Sequence, residues 1–167
     1  LRATDVQQVG GPPVQVRLSG VHVSNNNSAS NGGGLSLTGS SVVWISASNI
    51  TGNTVTAQHD DGGGIYMGDY NTPHSNTNLT IEDSTIAFNE TSWGGAGGGI
   101  YNDNATLTIL RSDIINNIAR SAGGGILSRG TLTILESTVS NNTAEGSNSA
   151  HGGGVYFSAA YGEEMYI

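Results

Sequence analysis

A triplet of glycines returns five times in this chain, at 32–34, 62–64, 97–99, 123–125 and 152–154, each time followed by Leu, Ile or Val. Downstream lie alternating segments such as Leu79-Thr80-Ile81, Leu107-Thr108-Ile109 and Leu132-Thr133-Ile134, then shorter ones ending in Asn, such as Ile86 to Asn89 and Ile114 to Asn117. A period of two marks strands, not helices. A linker is also rich in Gly and Ser, but it keeps no such register.

Aligning Asn26, Asn53, Asn89, Asn117 and Asn142 brings further columns into line without a gap. One column reads Val16, Val43, Leu79, Leu107, Leu132; the next reads Leu18, Ile45, Ile81, Ile109, Ile134. A column of mostly small residues follows (Val21, Ser48, Ser84, Ser112, Ser137), and another aliphatic column (Val23, Ile50, Ile86, Ile114, Val139) precedes the Asn. The Asn residues stand 27, 36, 28 and 25 positions apart, so a rigid element is joined by loops of varying length. A short repeat of this kind cannot bury an apolar face alone and must stack on its neighbours.

The chain is therefore expected to be all-β, a right-handed parallel β-helix of about five to six coils without significant helix. The aliphatic columns become buried ladders. The Asn column becomes a ladder of stacked amides at a turn, where Asn tolerates left-handed backbone. Glycine serves where the backbone needs positive φ or leaves no room for a Cβ. Residues 1–13 form a lead-in or incomplete coil, and 14–167 form the repeats. Met165-Tyr166-Ile167 falls where Leu-Thr-Ile falls earlier, so the sequence stops mid-coil. This predicts a piece of a longer array, or a unit stacking end to end with its copies.

Composition excludes several function classes. Gly, Ser, Asn and Thr make up nearly half of the 167 residues, and Lys is absent. Five scattered arginines and a net charge of −8 argue against nucleic-acid binding, which needs clustered cations. Without Lys or Cys there is no Schiff-base lysine, thiol nucleophile, disulfide or cysteine-type zinc site. No apolar run approaches the ~18 residues of a membrane span, and no leader pattern opens the chain.

The Gly-Gly-Gly-Ile motifs (62–65, 97–100, 123–126) together with Ile86-Ala87-Phe88-Asn89 resemble the GGA-[ILV] and FxxN repeats of the polymorphic outer-membrane-protein type. More broadly the chain resembles right-handed parallel β-helix proteins of microbial surfaces. Gly stands here where that motif has Ala, and only Phe88 supplies an aromatic, adjacent to its Asn. The resemblance implies a secreted or surface-displayed β-helix used for adhesion or as a stalk.

Chemistry has few candidates. His59-Asp60-Asp61, with Asp69 and His74 in the longest insertion, are the best candidates for polysaccharide lysis or hydrolysis, yet no neighbouring coil supplies a second carboxylate in register. The plainer reading is a solvated acidic turn. Asp60, Asp61 and Asp69 also offer oxygens for calcium, but no β-roll nonapeptide frames them. Tyr66, Tyr101 and Tyr156 follow the Gly triplets on one column, either as a sugar platform or as rings stacked coil on coil. Outward Thr pairs at 106/108 and 131/133 resemble an ice-binding array, but Trp44 and Arg17 break the column. Sequons at Asn49, Asn78, Asn104 and Asn141 are candidate glycosylation sites, whereas those at Asn26 and Asn89 are expected to be inaccessible.

These residues lead to a non-catalytic extracellular structural or adhesive module, secreted or at the cell surface, with no cofactor. Its variable loops 54–61, 67–78, 90–96 and 143–151 carry any recognition of glycans or host and cell-surface proteins. The alternative is a polysaccharide-binding or polysaccharide-cleaving domain.

Overall fold

The computed structural model describes residues 2–4, 13–68, 76–146, 150–158 and 162–167. Each coil carries four short strands, and like strands of successive coils pair in parallel to make four sheets. The first sheet comprises Val14–Ser19, Ser41–Ser46, Asn78–Glu82, Thr106–Leu110, Leu132–Leu135 and Met165–Tyr166. The second runs from His22–Ser24 to Thr138–Ser140, the third from Asn27–Ser28 to Thr143–Ala144, and the fourth from Arg2–Thr4 to Val155–Phe157. The molecule is a parallel β-solenoid of about five coils, and no helix occurs among the described residues.

The register is the one the aliphatic columns predict. Val16 lies beside Val43, Val43 beside Leu79, Leu79 beside Leu107 and Leu107 beside Leu132, with Met165 closing the row. Alternation then sends one set of side chains into the lumen: Val43, Ile45, Ile50, Ile81, Ile86, Ile109 and Ile114 are all 0% exposed. Each such side chain contributes about 2–3 kcal/mol of transfer free energy, and the stack makes one continuous core.

Each coil turns through three left-handed residues. The first is Gly20, Ala47, Asp83, Arg111 or Glu136; the second Asn25, Gly52, Phe88, Asn116 or Asn141; the third the leading glycine of each triplet. The expected left-handed turn thus sits one position ahead of the ladder asparagines. The ladder Asn itself supplies hydrogen bonds, which the preceding left-handed residue turns inward. At Asn89, Nδ2–H donates to Asn117 Oδ1 at 3.0 Å and to Ile50 O at 2.9 Å, and the backbone N–H donates to the same Oδ1 at 3.0 Å. Asn53 and Asn117 repeat this pattern, so a buried corner is fully paired coil after coil.

The small column is a second polar ladder. Ser84 Oγ accepts the Ser48 N–H at 3.1 Å and donates to Glu82 O at 2.6 Å, and Ser48, Ser112 and Ser137 do likewise. Serine is small enough for the corner and carries both a donor and an acceptor.

The glycine triplets sit beneath the next coil. A Cβ on Gly64 would approach Gly99 O to 2.6 Å and Asn89 Nδ2 to 2.9 Å; on Gly99 it would meet Gly125 O at 2.6 Å. The third glycine is therefore required by coil spacing, since its φ is not left-handed. Met165 and Tyr166 pair with Leu132 and Thr133, as their place in the repeat predicts.

Candidate recognition surface

Variable loops from neighbouring coils lie against one another. Residues 55–61 and 92–96 are joined by Ser92 N–H to Val55 O (2.9 Å), Ser92 Oγ–H to Ala57 O (2.7 Å) and His59 N–H to Trp93 O (2.9 Å). Gly94, at φ 77°, lets the second loop turn, and a Cβ there would run into the His59 ring. The result is an exposed His59 beside Trp93, a residue 80% exposed. An exposed indole on a hydrogen-bonded turn presents an apolar face with one N–H donor.

The acidic pair of this loop divides. Asp60 is partly exposed, whereas Asp61 is 7% exposed and its Oδ1 accepts the Ala96 N–H at 2.8 Å. Asp61 N–H in turn donates to Asn31 Oδ1 at 2.7 Å, so this carboxylate closes the corner ahead of the Gly triplets. Asp69 and His74 lie outside the described residues. Among the described residues no three His, Asp or Glu side chains converge in a way that would hold a cation.

Tyr66 and Tyr101 share a column with Ser36, Leu127 and Tyr156. Their rings stack at 5.6 Å with an interplanar angle of 18°, and both are buried together with Ala96 and Ala122. Beside them is a cluster that sequence reasoning did not single out. Tyr66 O–H donates to Asp103 Oδ2 at 3.4 Å, Arg129 Nη1 lies 3.7 Å from Asp103 Oδ1, and the guanidinium sits 5.4 Å above the Tyr101 ring. The only sequence signal for it is register. Asp103 pairs with Gly68, which leaves the space its side chain takes.

Arg17, Arg111 and Arg120 act across coils. Arg111 binds Glu82 and Asp83, and Arg120 binds Glu90 and Glu145. Hydrogen bonding to those carboxylates, Asp83 first for Arg111 and Glu90 for Arg120, raises both guanidinium pKa values further above their ordinary range. All four pairs are on the surface. On the first sheet Arg17 lies 3.9 Å above Trp44, a cation–π contact between adjacent coils.

The sequons differ in access. Asn78 and Asn141 are exposed; Asn49 is partly exposed with its amide 3.3 Å from His22; Asn104 is partly buried and donates to Asp103 Oδ1 at 3.3 Å. Asn89 is buried as expected, but Asn26 is exposed, contrary to expectation. Asn26 lies in the first ladder coil, where no described Asn stacks on its outer side. No helix is long and apolar enough to cross a membrane among the described residues. Comparison with protein-family models, curated proteins and solved structures finds no match, so function is argued from this surface alone.

Proposed function

We propose that this chain is a non-catalytic extracellular module, structural or adhesive, secreted or displayed at a cell surface. The observation that carries the reading is the division of labour along each coil. Aliphatic, Asn and Ser ladders run in unbroken register through the solenoid, while length variation and the most exposed aromatic side chain, Trp93 among the described residues, fall in lateral loops. A stiff rod presenting adaptable loops suits a stalk, a filament unit or a surface passenger. In repeat type we place it beside the polymorphic outer-membrane-protein repeats, with Gly replacing Ala at the third triplet position because the Asn of the next coil occupies that space.

Trp93 beside His59 favours a second reading, binding of glycans by stacking on the indole. Acidic and neutral polysaccharides separate the possibilities, with chain cleavage and retention both measured. The module reading expects no cleavage by the native chain or by Asp60→Asn, and any glycan retention to be lost in Trp93→Ala. Cleavage abolished by Asp60→Asn would replace it with the polysaccharide-cleaving alternative.

A further inference from the structure

Phe88 stands where the repeat otherwise places Asn or Gly. The left-handed corner it occupies, at φ 55°, is held in the other coils by Asn25, Gly52, Asn116 and Asn141. Asn and Gly adopt that backbone readily, whereas a bulky side chain strains it. The ring gains little burial in exchange, since the residue is 63% exposed. Strain held where packing does not explain it points to function.

A second exposed ring lies on the same coil. Of the three exposed aromatic residues among those described, Phe88, Trp93 and Tyr166, the first two are five positions apart and flank the short strand Glu90–Thr91. Their Cα atoms are at most about 17 Å apart. The turn that carries Trp93 is held by Thr91 Oγ1–H donating to Gly95 O at 2.9 Å and Gly95 N–H donating to Ser92 O at 2.9 Å. In the following coil only three residues, 120–122, stand between Ala119 and Gly123, against five, 92–96, between Thr91 and Gly97, which leaves Trp93 standing clear of that shorter loop.

Polar groups lie between the rings. Glu90 is partly exposed and binds Arg120, which also binds Glu145. These pairs engage Nη1 and Nη2 of a guanidinium with five N–H donors, and each carboxylate keeps lone pairs, so the strip offers both donors and acceptors.

We infer that Phe88, Glu90, Arg120 and Trp93 form a binding strip for a neutral oligosaccharide laid along this coil. The inference deepens the glycan-binding reading and rests on it. The two aromatic rings stack on the apolar C–H faces of sugar rings, and Glu90 and Arg120 take the hydroxyls between them. Charge selects an uncharged chain. Arg120 is shared by two glutamates, Asp60 stands in the loop that abuts Trp93, and the whole molecule carries −8, so a polyanionic glycan is repelled. A protein partner fits less well, because an interface of about 800 Å² per side needs an apolar centre and here charged groups separate the two rings.

Retention on immobilised hexasaccharides tests the strip, with neutral glucose, mannose, galactose and xylose chains set against galacturonic and mannuronic acid chains. The native chain should be retained by at least one neutral chain and at least about ten-fold less by either acidic one. Phe88→Asn, which restores the residue type of the other coils, should weaken that retention about ten-fold while the thermal midpoint stays level or rises. Trp93→Ala should weaken it at least as much. Leu135→Thr, at an exposed apolar site on the first sheet, should bind as the native chain does. Failure of the glycan reading itself shows as no retention by any of the six, which overturns the strip with it. Failure of the strip alone shows as retention that Trp93→Ala abolishes and Phe88→Asn leaves intact. Preference for the acidic chains, a loss in Leu135→Thr equal to that in Phe88→Asn, or a thermal midpoint of Phe88→Asn that falls along with its retention would also overturn it.

Discussion

Gly99 and Gly154 occupy the same place in the repeat, yet one is locked and the other open. A Cβ on Gly99 would meet Gly125 O at 2.6 Å, and one on Gly154 would meet nothing closer than 3.5 Å. The motif is identical, so the difference lies in whether a further coil of the described residues stacks on it. A residue's energetic weight in a solenoid is set by its neighbours above and below, which interior coils have on both sides and end coils on one. The same contrast separates buried Asn89 from exposed Asn26, although their backbone ladder bonds are 3.0 and 3.1 Å long.

The largest effect should come from breaking an interior ladder. Asn117→Ala removes two bonds to its Oδ1 and two from its Nδ2 at a site 0% exposed, and should cost about 3–5 kcal/mol in urea denaturation. Asn142→Ala, half-buried at the end, should cost about 1–2 kcal/mol, because water replaces what is lost. Equal costs would break the comparison. Next, Gly99→Ala should cost about 2–3 kcal/mol and Gly154→Ala within about 0.5 kcal/mol, read as urea midpoints at constant slope.

The Ser ladder should show the same gradient at smaller size. Ser84→Ala leaves the Ser48 N–H without its acceptor in a buried corner and should cost about 1–2 kcal/mol, against about 0.5 kcal/mol for the more exposed Ser137→Ala. The smallest change should be a gain. Ala47 holds φ 46° at an exposed turn where the first coil has Gly20, so Ala47→Gly should raise stability by about 0.5–1 kcal/mol.

The ladders were legible in the sequence because strand alternation and coil stacking impose fixed spacing on Leu, Ile and Asn. The turn geometry was less so. Left-handed backbone falls on Ala47, Phe88 and Arg111, residue types that carry no turn signal and hold that conformation because the flanking ladders over-determine it. Ser48, Ser84 and Ser112 were legible as small but not as hydrogen-bonded, since size and hydroxyl chemistry predict the same residue.

The surface was harder to foresee for a further reason. Alternation marks Tyr66 and Tyr101 as pointing away from the lumen, and they do, but Ala96 and Ala122 from the preceding loops pack against them and bury them. The meeting of Asp103 with Arg129 and of His59 with Trp93 depends on which coils become neighbours once loops of unequal length are set aside. Loops 54–61 and 90–96 were legible as variable segments; the hydrogen bonds that join them were not, because they run mainly between backbone groups.

Amide hydrogen exchange tests the central claim most directly, because it compares one bond type along the whole rod. The N–H groups of Asn53, Asn89 and Asn117, each donating to the ladder Oδ1 of the next coil, should exchange only through global unfolding. That of Asn26, with the same kind of bond to Asn53, should exchange through local opening at least about 100-fold faster. Four equal rates would mean that the ladder opens as one unit and that position in the stack does not set a corner's stability.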